Sequence, residues 1–562
     1  MKVVLMALSS RYIHLSPAPY YLAAELEGYD VTVLDHSINE KTEDVFADIF
    51  SYQPDVLGLS VYIWNLTYLK ELLPRLHSAL PRCHIVLGGP EVSYAQKQTL
   101  LTFPFIRAVL SGEGELPFRL LCDALKEGKT FDTIPGCSYI KEDGSVIISN
   151  PYIGEGTPKS PLRAGYLEAL RGRMAYIEAS RGCPFHCAFC LSGRCGGVRL
   201  FDIEQVKTDI LLLAKASKTV KFIDRTFNAD RERARALFSF ILSHYGGEIP
   251  AGTRFHFEIA GELLDGDTLA LLERAPHGAF QLEIGVQSFH EETLRAIHRS
   301  AHTERLTENI VRLLSFGNIH IHIDLIAGLP LEDFSSFQKS FDSAYALSPH
   351  MLQCGFLKLL YGAPMREEKD KYPCTYGKEP PYEVSSTPCL SQEELARIHT
   401  AEEALDRLYN SHRYKRTLAL FKGSPFALFL MLGQRLSSLG KKHTLDDELT
   451  LVYESLKEMG IEENALRDTM LLDFISTNSS RLTPTVLRRE DGRMKLLKAS
   501  IARLYPQAKG VRRAVCILSG DSCAFVDYTE KDTVSKSYPL RVLPVSKILQ
   551  MEESPCFDKK IN

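Results

Sequence analysis

The sequence lacks the features that usually place a protein in or across a membrane. It contains no run of about 18 apolar residues, so we expect no membrane-spanning helix. The first residues, MKVVLMALSS, hold one lysine and an apolar run too short for a secretory signal, and they are typical of a buried strand. The net charge of −4 favours neither nucleic acid nor a membrane surface as a partner.

The sequence also gives little indication of disulfide bonds. It has 13 cysteines but no secretory signal, which favours a reducing compartment and predicts a cytoplasmic protein. Most of the cysteines are scattered singly, as small core side chains usually are. Only Cys183, Cys187 and Cys190 are clustered, so these three thiols are the candidates for chemistry.

Residues 1–155 are predicted to form the first of three domains, since 562 residues are too many for one hydrophobic core. Apolar runs alternate with helical stretches, which is typical of a doubly wound (Rossmann-like) parallel sheet. A hairpin around Asp143 and Gly144 is expected to close this domain. The apolar runs are residues 2–8, 30–35, 56–63, 84–89 and 106–112.

The segments after these runs are rich in glycine, hydroxyl and aromatic side chains. Ligands of doubly wound sheets bind beyond the carboxyl ends of the strands, and glycine allows the backbone to approach a ligand closely. We therefore expect a large ligand there; glycines that only form tight turns are the alternative. No GxGxxG motif follows the first run, which argues against NAD. The segments are SSRYIHLSPAP, SVYIWN, GGPEVSY and SGEGE.

Residues 165–375 are predicted to form a partial (β/α)6 TIM-type barrel. Strand-like runs alternate with helical runs, and enzymes with such barrels carry their chemistry in the loops after the strands. The clustered cysteines directly follow the first of these runs. The runs are residues 174–180, 219–224, 254–260, 280–288, 319–328 and 352–360.

Residues 380–562 are predicted to form a mostly helical C-terminal domain with a few strands, which makes the whole chain α/β. Ser391 and Glu394 have the spacing of a capping box at the start of the helical part, which continues to about residue 505. Two strand-like segments, AVCILSGDSCAFVDYT and SYPLRVLPVS, follow.

The clustered cysteines lie in the segment SRGCPFHCAFC, at offsets of four and then three residues. Zinc normally takes four protein ligands, often as two CxxC pairs. Three thiolates from one tight loop can instead hold three irons of a [4Fe–4S] cluster and leave the fourth iron open. A structural zinc ion with Cys195 or His186 as its fourth ligand is the alternative.

This CxxxCxΦC motif, placed after the first strand of a partial barrel, resembles that of the radical SAM superfamily. The resemblance implies that Cys183, Cys187 and Cys190 bind a [4Fe–4S] cluster whose open iron binds S-adenosylmethionine (SAM). It further implies that reductive cleavage of SAM yields methionine and a 5′-deoxyadenosyl radical. Phe189, the aromatic residue before the last cysteine, would flank the adenine.

The same resemblance implies further SAM contacts along the barrel. Asp224, in FIDRTFN, would lie near the methionine amino group, although the family's common Gly-Gly-Glu is absent there. Glu258, Glu283 and Gln287 would contact the ribose and carboxylate. Ile326 lies in the segment expected to pack on the adenine. For the two glutamates, an acid held by a neighbouring side chain is the alternative.

The first domain resembles the cobalamin-binding domain that precedes the barrel in a large subgroup of this superfamily. The DxHxxG signature, whose histidine ligates cobalt in other cobalamin proteins, is absent, since Asp35 and His36 are adjacent. The resemblance implies cobalamin without a histidine below the cobalt, which favours transfer of a methyl group as a radical. The expected cobalamin contacts are Ser10, Tyr12, His14, Ser60, Tyr62, Trp64, Gly88, Gly89, Glu91, Val92, Gly112, Glu113, Gly114 and Glu115.

Together these resemblances imply a cobalamin-dependent radical SAM enzyme that methylates an unactivated carbon. The alternatives are a rearrangement without methyl transfer, modification of RNA or tRNA, and a non-catalytic cobalamin or redox sensor. The RNA alternative depends on a run of basic residues from Arg481 to Arg513, which is more typical of a solvated helix face.

The sequence does not identify the substrate, which is a small molecule or a peptide. An electron donor such as flavodoxin or ferredoxin is the expected partner. We expect no nucleic-acid partner.

Overall fold

The computed structural model describes residues 1–300, 303–440, 442–480 and 483–553. Arg481, the first residue of the basic run, lies outside the described residues. Among the described residues, no helix is both long and apolar enough to cross a membrane.

The first part of the chain forms a seven-stranded sheet in the order β2-β1-β3-β4-β5-β6-β7. Strands β1 to β5 are parallel, and β6 and β7 add the predicted antiparallel hairpin. The strands are β1 (Lys2–Met6), β2 (Asp30–Leu34), β3 (Val56–Ser60), β4 (His84–Gly88), β5 (Ala108–Leu110), β6 (Cys137–Ile140) and β7 (Val146–Ile147). The helices are α1 (Ala18–Glu25), α2 (Thr42–Tyr52), α3 (Leu66–Ala79), α4 (Pro90–Ser93), α5 (Gln96–Thr102) and α6 (Glu115–Glu127).

Helices cover both faces of this sheet, so the prediction of a doubly wound fold is confirmed. Val45 of α2 and Leu69 of α3 pack in one buried cluster. Phe118 and Leu121 of α6 pack in a second cluster, which shares strands but not faces with the first. Alternate side chains of a strand point to opposite faces, which is why short, continuously apolar strands supply both clusters.

The second part forms a six-stranded parallel sheet in the order β15-β14-β13-β12-β11-β8, the predicted partial barrel. Its strands are β8 (Ala175–Ile177), β11 (Thr219–Phe222), β12 (Arg254–Ile259), β13 (Phe280–Gln287), β14 (His320–Ala327) and β15 (Met351–Phe356). Its helices are α7 (Tyr166–Leu170), α8 (Ile203–Ala216), α9 (Arg231–His244), α10 (Gly266–Glu273), α11 (Glu291–Ala296), α12 (Thr303–Phe316) and α13 (Phe334–Ala346).

A small hairpin that was not predicted brackets the cysteine motif. Strand β9 (Ser180–Gly182) pairs antiparallel with β10 (Val198–Leu200). The loop between them begins at Cys183 and contains all three clustered cysteines. The hairpin therefore fixes both ends of the cysteine loop.

The third part is mostly helical, as predicted, and ends in a three-stranded antiparallel sheet. Ser391 and Glu394 form the predicted capping box at the start of α15. The helices are α14 (Pro364–Glu367), α15 (Gln392–Ala404), α16 (Lys415–Leu418), α17 (Pro425–Ser438), α18 (Leu445–Glu458), α19 (Glu463–Thr477), α20 (Met494–Leu504) and α21 (Val545–Glu553). The strands are β16 (Thr375–Tyr376), β17 (Val384–Ser386), β18 (Arg513–Ile517), β19 (Ser522–Asp527) and β20 (Leu540–Pro544).

Other parts of the chain cover both edges of the partial barrel. Asn410, at the end of a π-helix after α15, accepts a hydrogen bond from the Leu352 N–H at 3.0 Å and donates one to the Leu352 carbonyl at 2.8 Å. At the other edge, the Met174 N–H donates to the Ile13 carbonyl, and His14 Nδ1 lies 2.5 Å from the Tyr176 hydroxyl. These contacts satisfy backbone groups that an open edge strand would leave exposed.

Candidate active site

A cavity of about 720 Å³ lies between the first sheet and the barrel. One wall is formed by the carboxyl ends of β3, β4 and β5, as expected for a ligand site on a doubly wound sheet. The other wall includes Arg181, Leu191 and Ser192, which flank the cysteine loop. The cavity therefore joins the two places where the sequence predicts cofactors.

Two glycines of the first wall have different reasons to be glycine. A Cβ at Gly88 would have its nearest neighbour, the Leu110 carbonyl oxygen, at 3.6 Å, so the protein itself leaves room there. Gly112 has φ +84°, and a Cβ there would lie 2.1 Å from the Tyr152 carbonyl oxygen. Gly112 is thus required by the fold, whereas Gly88 leaves space in the cavity because it has no side chain. The absence of a side chain lets a large flat ligand approach the backbone closely.

The predicted cobalamin contacts divide into two sets. The first set lines the cavity and comprises Ser60, Tyr62, Gly88, Gly89, Gly112, Glu113, Gly114 and Glu115. The second set does not line it and comprises Ser10, Tyr12, His14, Trp64, Glu91 and Val92.

Members of the second set have contacts of their own. Trp64 stacks on Tyr62 and donates to the Leu8 carbonyl at 2.9 Å. Glu91 is buried and accepts a hydrogen bond from the Tyr382 hydroxyl.

The remaining four also serve the protein itself. The Arg173 guanidinium lies 4.8 Å from the centre of the Tyr12 ring. His14 forms a hydrogen bond with the hydroxyl of Tyr176 on the first barrel strand. The Ser10 carbonyl accepts a side-chain amide hydrogen bond, and Val92 is buried in the core. All six thus stay predictions that the cavity does not support.

Sequence reasoning missed a charged network on the cavity wall. The Arg181 guanidinium lies 2.6 Å from Glu113, 2.7 Å from Glu115 and 2.7 Å from Glu178. Arg199 lies 2.6 Å from Glu113 as well. Burial alone would raise the pKa of Glu113, but the two guanidinium groups lower it. The network ties the first domain to the strand that leads into the cysteine loop.

One sequence signal could have found this network. Arg181 lies inside the cysteine motif, two residues before Cys183, and SGEGE is the acidic strand end of the first domain. A cation and two acids predicted at one cavity are expected to pair. Glu178, at the end of the first barrel strand, carries no such signal.

The cysteine loop begins at a glycine that the hairpin requires. Gly182 has φ +95°, and a Cβ there would lie 1.9 Å from the Gly197 carbonyl oxygen. Within the loop, the Cys190 N–H donates to the Cys187 carbonyl at 3.0 Å. The Ala188 N–H donates to the Ile297 carbonyl, which anchors the loop to the barrel.

The three thiols fit a [4Fe–4S] cluster better than a zinc ion. Cys183 and Cys187 are buried, Cys190 is half-buried, and all three are free thiols. A zinc ion with bonds of about 2.3 Å needs sulfur atoms less than about 4 Å apart. In the described part of the chain, only Glu283, His322 and Asp324 bring three ligand atoms within 4.8 Å of one another. The three sulfurs do not meet this spacing in the present arrangement.

The two candidates for a fourth zinc ligand stay untested predictions. His186 is exposed, and the side chain of Cys195 lies outside the described part of the chain. Three thiols on one loop are consistent with a [4Fe–4S] cluster in which each of three irons binds one cysteine.

The predicted SAM contacts lie around the same end of the barrel. Asp224 is buried and accepts hydrogen bonds from the Ala179 N–H at 2.9 Å and the Ser180 hydroxyl at 2.5 Å. Burial raises its pKa to about 7. Gln287, with φ +70°, follows a register shift in β13. Phe189 and Ile326 are half-buried against the core.

Glu258 and Glu283 lie side by side on β12 and β13 and share one cation. The Lys221 ammonium lies 3.5 Å from Glu258 and 3.3 Å from Glu283. His256 Nε2 lies 2.7 Å from Glu283. Burial alone would raise the pKa of Glu283, but the His256 hydrogen bond and the nearby cations lower it to about 2. Both acids are thus held by neighbours, the alternative that the sequence left open.

His322 and Asp324 extend this polar group along β14. His322 Nε2 lies 3.0 Å from Asp324 Oδ1, yet neither atom has a partner in hydrogen-bond geometry among the described residues. The barrel interior is therefore charged and polar, unlike the apolar layers that fill a closed barrel. Such an interior suits a polar ligand.

Comparison with known protein families assigns all three parts of the chain. Residues 4–121 match the B12 binding domain, and residues 177–344 match the Radical SAM superfamily. Residues 370–515 match a protein family of unknown function, DUF4080. The chain therefore carries a B12-binding domain followed by a radical SAM domain.

Similar proteins agree with this assignment. An uncharacterised methyltransferase of Pyrococcus horikoshii is 27% identical over 58% of this chain and 73% of its own length. The cobalamin-dependent radical SAM methyltransferase TokK of Streptomyces tokunonensis is 28% identical over 56% of this chain, and the match spans 48% of TokK.

A solved structure shares the fold. It is the radical S-adenosylmethionine methyltransferase TsrM of Kitasatospora setae with cobalamin and a [4Fe–4S] cluster bound. The TM-score is 0.55 at 20% identity, and the match covers 65% of this chain and 74% of TsrM.

These findings confirm the predicted protein class, fold class and cofactor set: a radical SAM enzyme with a [4Fe–4S] cluster, SAM and cobalamin. Matches to methyltransferases favour the main functional prediction over its alternatives. The domain boundaries at 1–155, 165–375 and 380–562 and the individual contact residues stay predictions.

Proposed function

We propose that this protein is a cobalamin-dependent radical SAM methyltransferase that methylates an unactivated carbon. The observation that carries the proposal is a cavity that meets the B12-binding domain on one side and the cysteine loop on the other. A methyl donor and a hydrogen-abstracting radical must both reach one carbon, so their sites must share one space.

Each part of the chain has a distinct role in this proposal. Cys183, Cys187 and Cys190 would hold the [4Fe–4S] cluster, and glycine-lined strand ends such as Gly88 would hold cobalamin. When bound, the cluster and SAM would supply the 5′-deoxyadenosyl radical, and cobalamin would supply the methyl group. The Arg181 network would hold the two domains in register across the cavity. The polar barrel interior would orient the substrate.

The RNA-modification alternative receives little support from the basic run. Arg493 pairs with Asp491 at 2.8 Å, and Arg513 pairs with Asp527 at 2.6 Å. Their charges are therefore partly neutralised within the protein and are not presented as one phosphate-binding face.

The partners and compartment follow from the proposed chemistry. The [4Fe–4S] cluster would take one electron from a donor of the flavodoxin or ferredoxin type. Such a cluster and its free thiols need a reducing compartment, for which we propose the cytoplasm. The substrate would be a small molecule or peptide with a polar group that fits the barrel interior.

Anaerobic turnover tests the proposal. The reconstituted protein is incubated with SAM, cobalamin and a low-potential reductant, and the products are analysed by mass spectrometry. We expect 5′-deoxyadenosine and S-adenosylhomocysteine from the wild type and no 5′-deoxyadenosine from Cys187→Ala. Formation of 5′-deoxyadenosine alone would favour a rearrangement, and formation of neither by a protein that holds its [4Fe–4S] cluster would favour a sensor.

A further inference from the structure

Each of the three clustered thiols has a polar group close to its sulfur. Thr226 Oγ1 lies 3.3 Å from the Cys183 sulfur, and the Ser192 N–H lies 3.4 Å from the Cys190 sulfur. The donor at Cys187 differs from these two neutral groups because it is a guanidinium. Arg299 Nη1 lies 3.9 Å from the Cys187 sulfur.

The local fold fixes Arg299 in this position. Helix α11 ends at Ala296, and His298, two residues further on, adopts the left-handed conformation with φ +60°. The Arg299 N–H then turns back to the Leu294 carbonyl at 2.8 Å, a common way to end a helix. On the side chain, Nη2 donates to the Gly285 carbonyl at 2.7 Å. One nitrogen of the guanidinium thus binds the β13 bulge while the other faces Cys187.

The charge of Arg299 is not neutralised by a neighbouring acid. No carboxylate in the part of the chain that the structure describes forms an ion pair with it. By contrast, the nearby Arg295 is exposed and pairs with Glu291 at 2.5 Å. A half-buried cation without a counter-ion interacts strongly with any negative charge placed next to it.

From this geometry we propose that Arg299 raises the reduction potential of the [4Fe–4S] cluster through its contact with the Cys187 sulfur. This inference rests on the proposed function, because it requires the cluster. Reduction adds one electron, delivered by an external donor of the flavodoxin or ferredoxin class, and makes the cluster and its thiolates more negative. A fixed cation beside one thiolate stabilises that reduced state, since charge and hydrogen bonds at the sulfurs set the potentials of such clusters.

Arg299 would therefore act as a positioning residue, through Cys187 and not through the substrate. Its effect would fall on the entry of the electron. The two neutral groups, the Thr226 hydroxyl and the Ser192 N–H, would contribute less because they carry no net charge.

Redox titration of the reconstituted protein, followed by electron paramagnetic resonance (EPR), tests this role. At the wild-type midpoint potential, we expect the ratio of reduced to oxidised cluster in Arg299→Ala to fall about tenfold, which equals a shift of 59 mV for one electron. Arg299→Lys keeps the charge and should restore much of the potential, whereas Arg299→Gln should not. Arg295→Ala, on helix α11 just before Arg299, should titrate like the wild type.

The outcomes separate the two levels of the proposal. A wild-type protein that takes up no [4Fe–4S] cluster contradicts the proposed function. Intact clusters with equal midpoint potentials in wild type, Arg299→Ala and Arg299→Gln overturn the role of Arg299. If Arg299→Ala does not assemble a cluster, equal potentials in Arg299→Lys and Arg299→Gln overturn it. Loss of the cluster from every Arg299 variant overturns it as well, because the residue then serves folding.

Discussion

The two walls of the cavity are built in different ways. The wall from the first domain consists of strand ends with glycine and apolar side chains, such as Gly88 and Leu59, which leave space. The barrel side of the cavity includes charged side chains that are already paired, such as Arg181 and Glu178. A large, flat ligand is held by shape and backbone, whereas small reacting groups are held by charge. The difference indicates which wall fits cobalamin and which fits SAM and substrate.

Removal of a clustered cysteine should give the largest effect. It should abolish cluster binding on the barrel side and leave cobalamin binding by the first domain intact. We expect Cys183→Ala to fall from about four iron atoms per chain to nearly none, because one corner of the cube loses its ligand. Cobalamin binding by the opposite wall should persist. Iron analysis and the visible absorption of bound cobalamin measure both. Cys354→Ala, a buried cysteine of β15, is the control and should keep its iron.

A larger side chain on the first-domain wall should weaken cobalamin binding and leave the iron content unchanged. Gly88→Leu places a side chain where the protein leaves room, so we expect at least tenfold weaker cobalamin binding, about 1.4 kcal/mol, with iron content unchanged. Gly266→Leu is the matched control, since it lies outside the cavity and also has open space. Equal cobalamin affinity in Gly88→Leu and the wild type would show that cobalamin does not use this wall.

Breaking the contact between the walls should cost stability. Arg181→Ala leaves Glu113, Glu115 and Glu178 without their shared cation, so we expect about 3 kcal/mol of destabilisation in denaturant unfolding. Arg235→Ala removes a more exposed pair with Asp265 and should cost less than about 1 kcal/mol. Similar losses in both variants would mean that the Arg181 network does not join the domains.

The pH dependence of stability tests one buried carboxyl group of the barrel. Burial raises the pKa of Asp224 from 3.8 to about 7, so the folded protein keeps a proton that the unfolded chain releases at lower pH. The free energy of unfolding should therefore fall as the pH rises from about 4 to about 7. Asp224→Asn cannot titrate, and its thermal midpoint should fall less over that range. A slope equal to that of the wild type would contradict the burial of a protonated Asp224.

The predictable parts of the molecule are those in which local pattern and chemistry coincide. Apolar, strand-like runs predicted the strands of both sheets within a few residues, because each strand buries at least one face. The cysteine spacing also identified its loop. Residues of one loop remain close in any fold, so their common role needs no tertiary information.

The parts that were not predicted depend on contacts between distant residues. Arg181 and Glu113 are 68 residues apart, and nothing local in either segment requires them to pair. Glu91 looked like a cavity residue by its position after β4, yet it is bonded by Tyr382, which is 291 residues away. The direction of one side chain after a strand depends on what packs against it, which a local pattern cannot give.

The most direct test of the central claim is the EPR spectrum of the reduced protein before and after addition of SAM. We predict the signal of one [4Fe–4S] cluster whose shape changes when SAM is added, because one iron has no protein ligand and binds SAM. A protein without this signal, or a signal that SAM leaves unchanged, would contradict a cluster held by three cysteines with an open iron at this cavity.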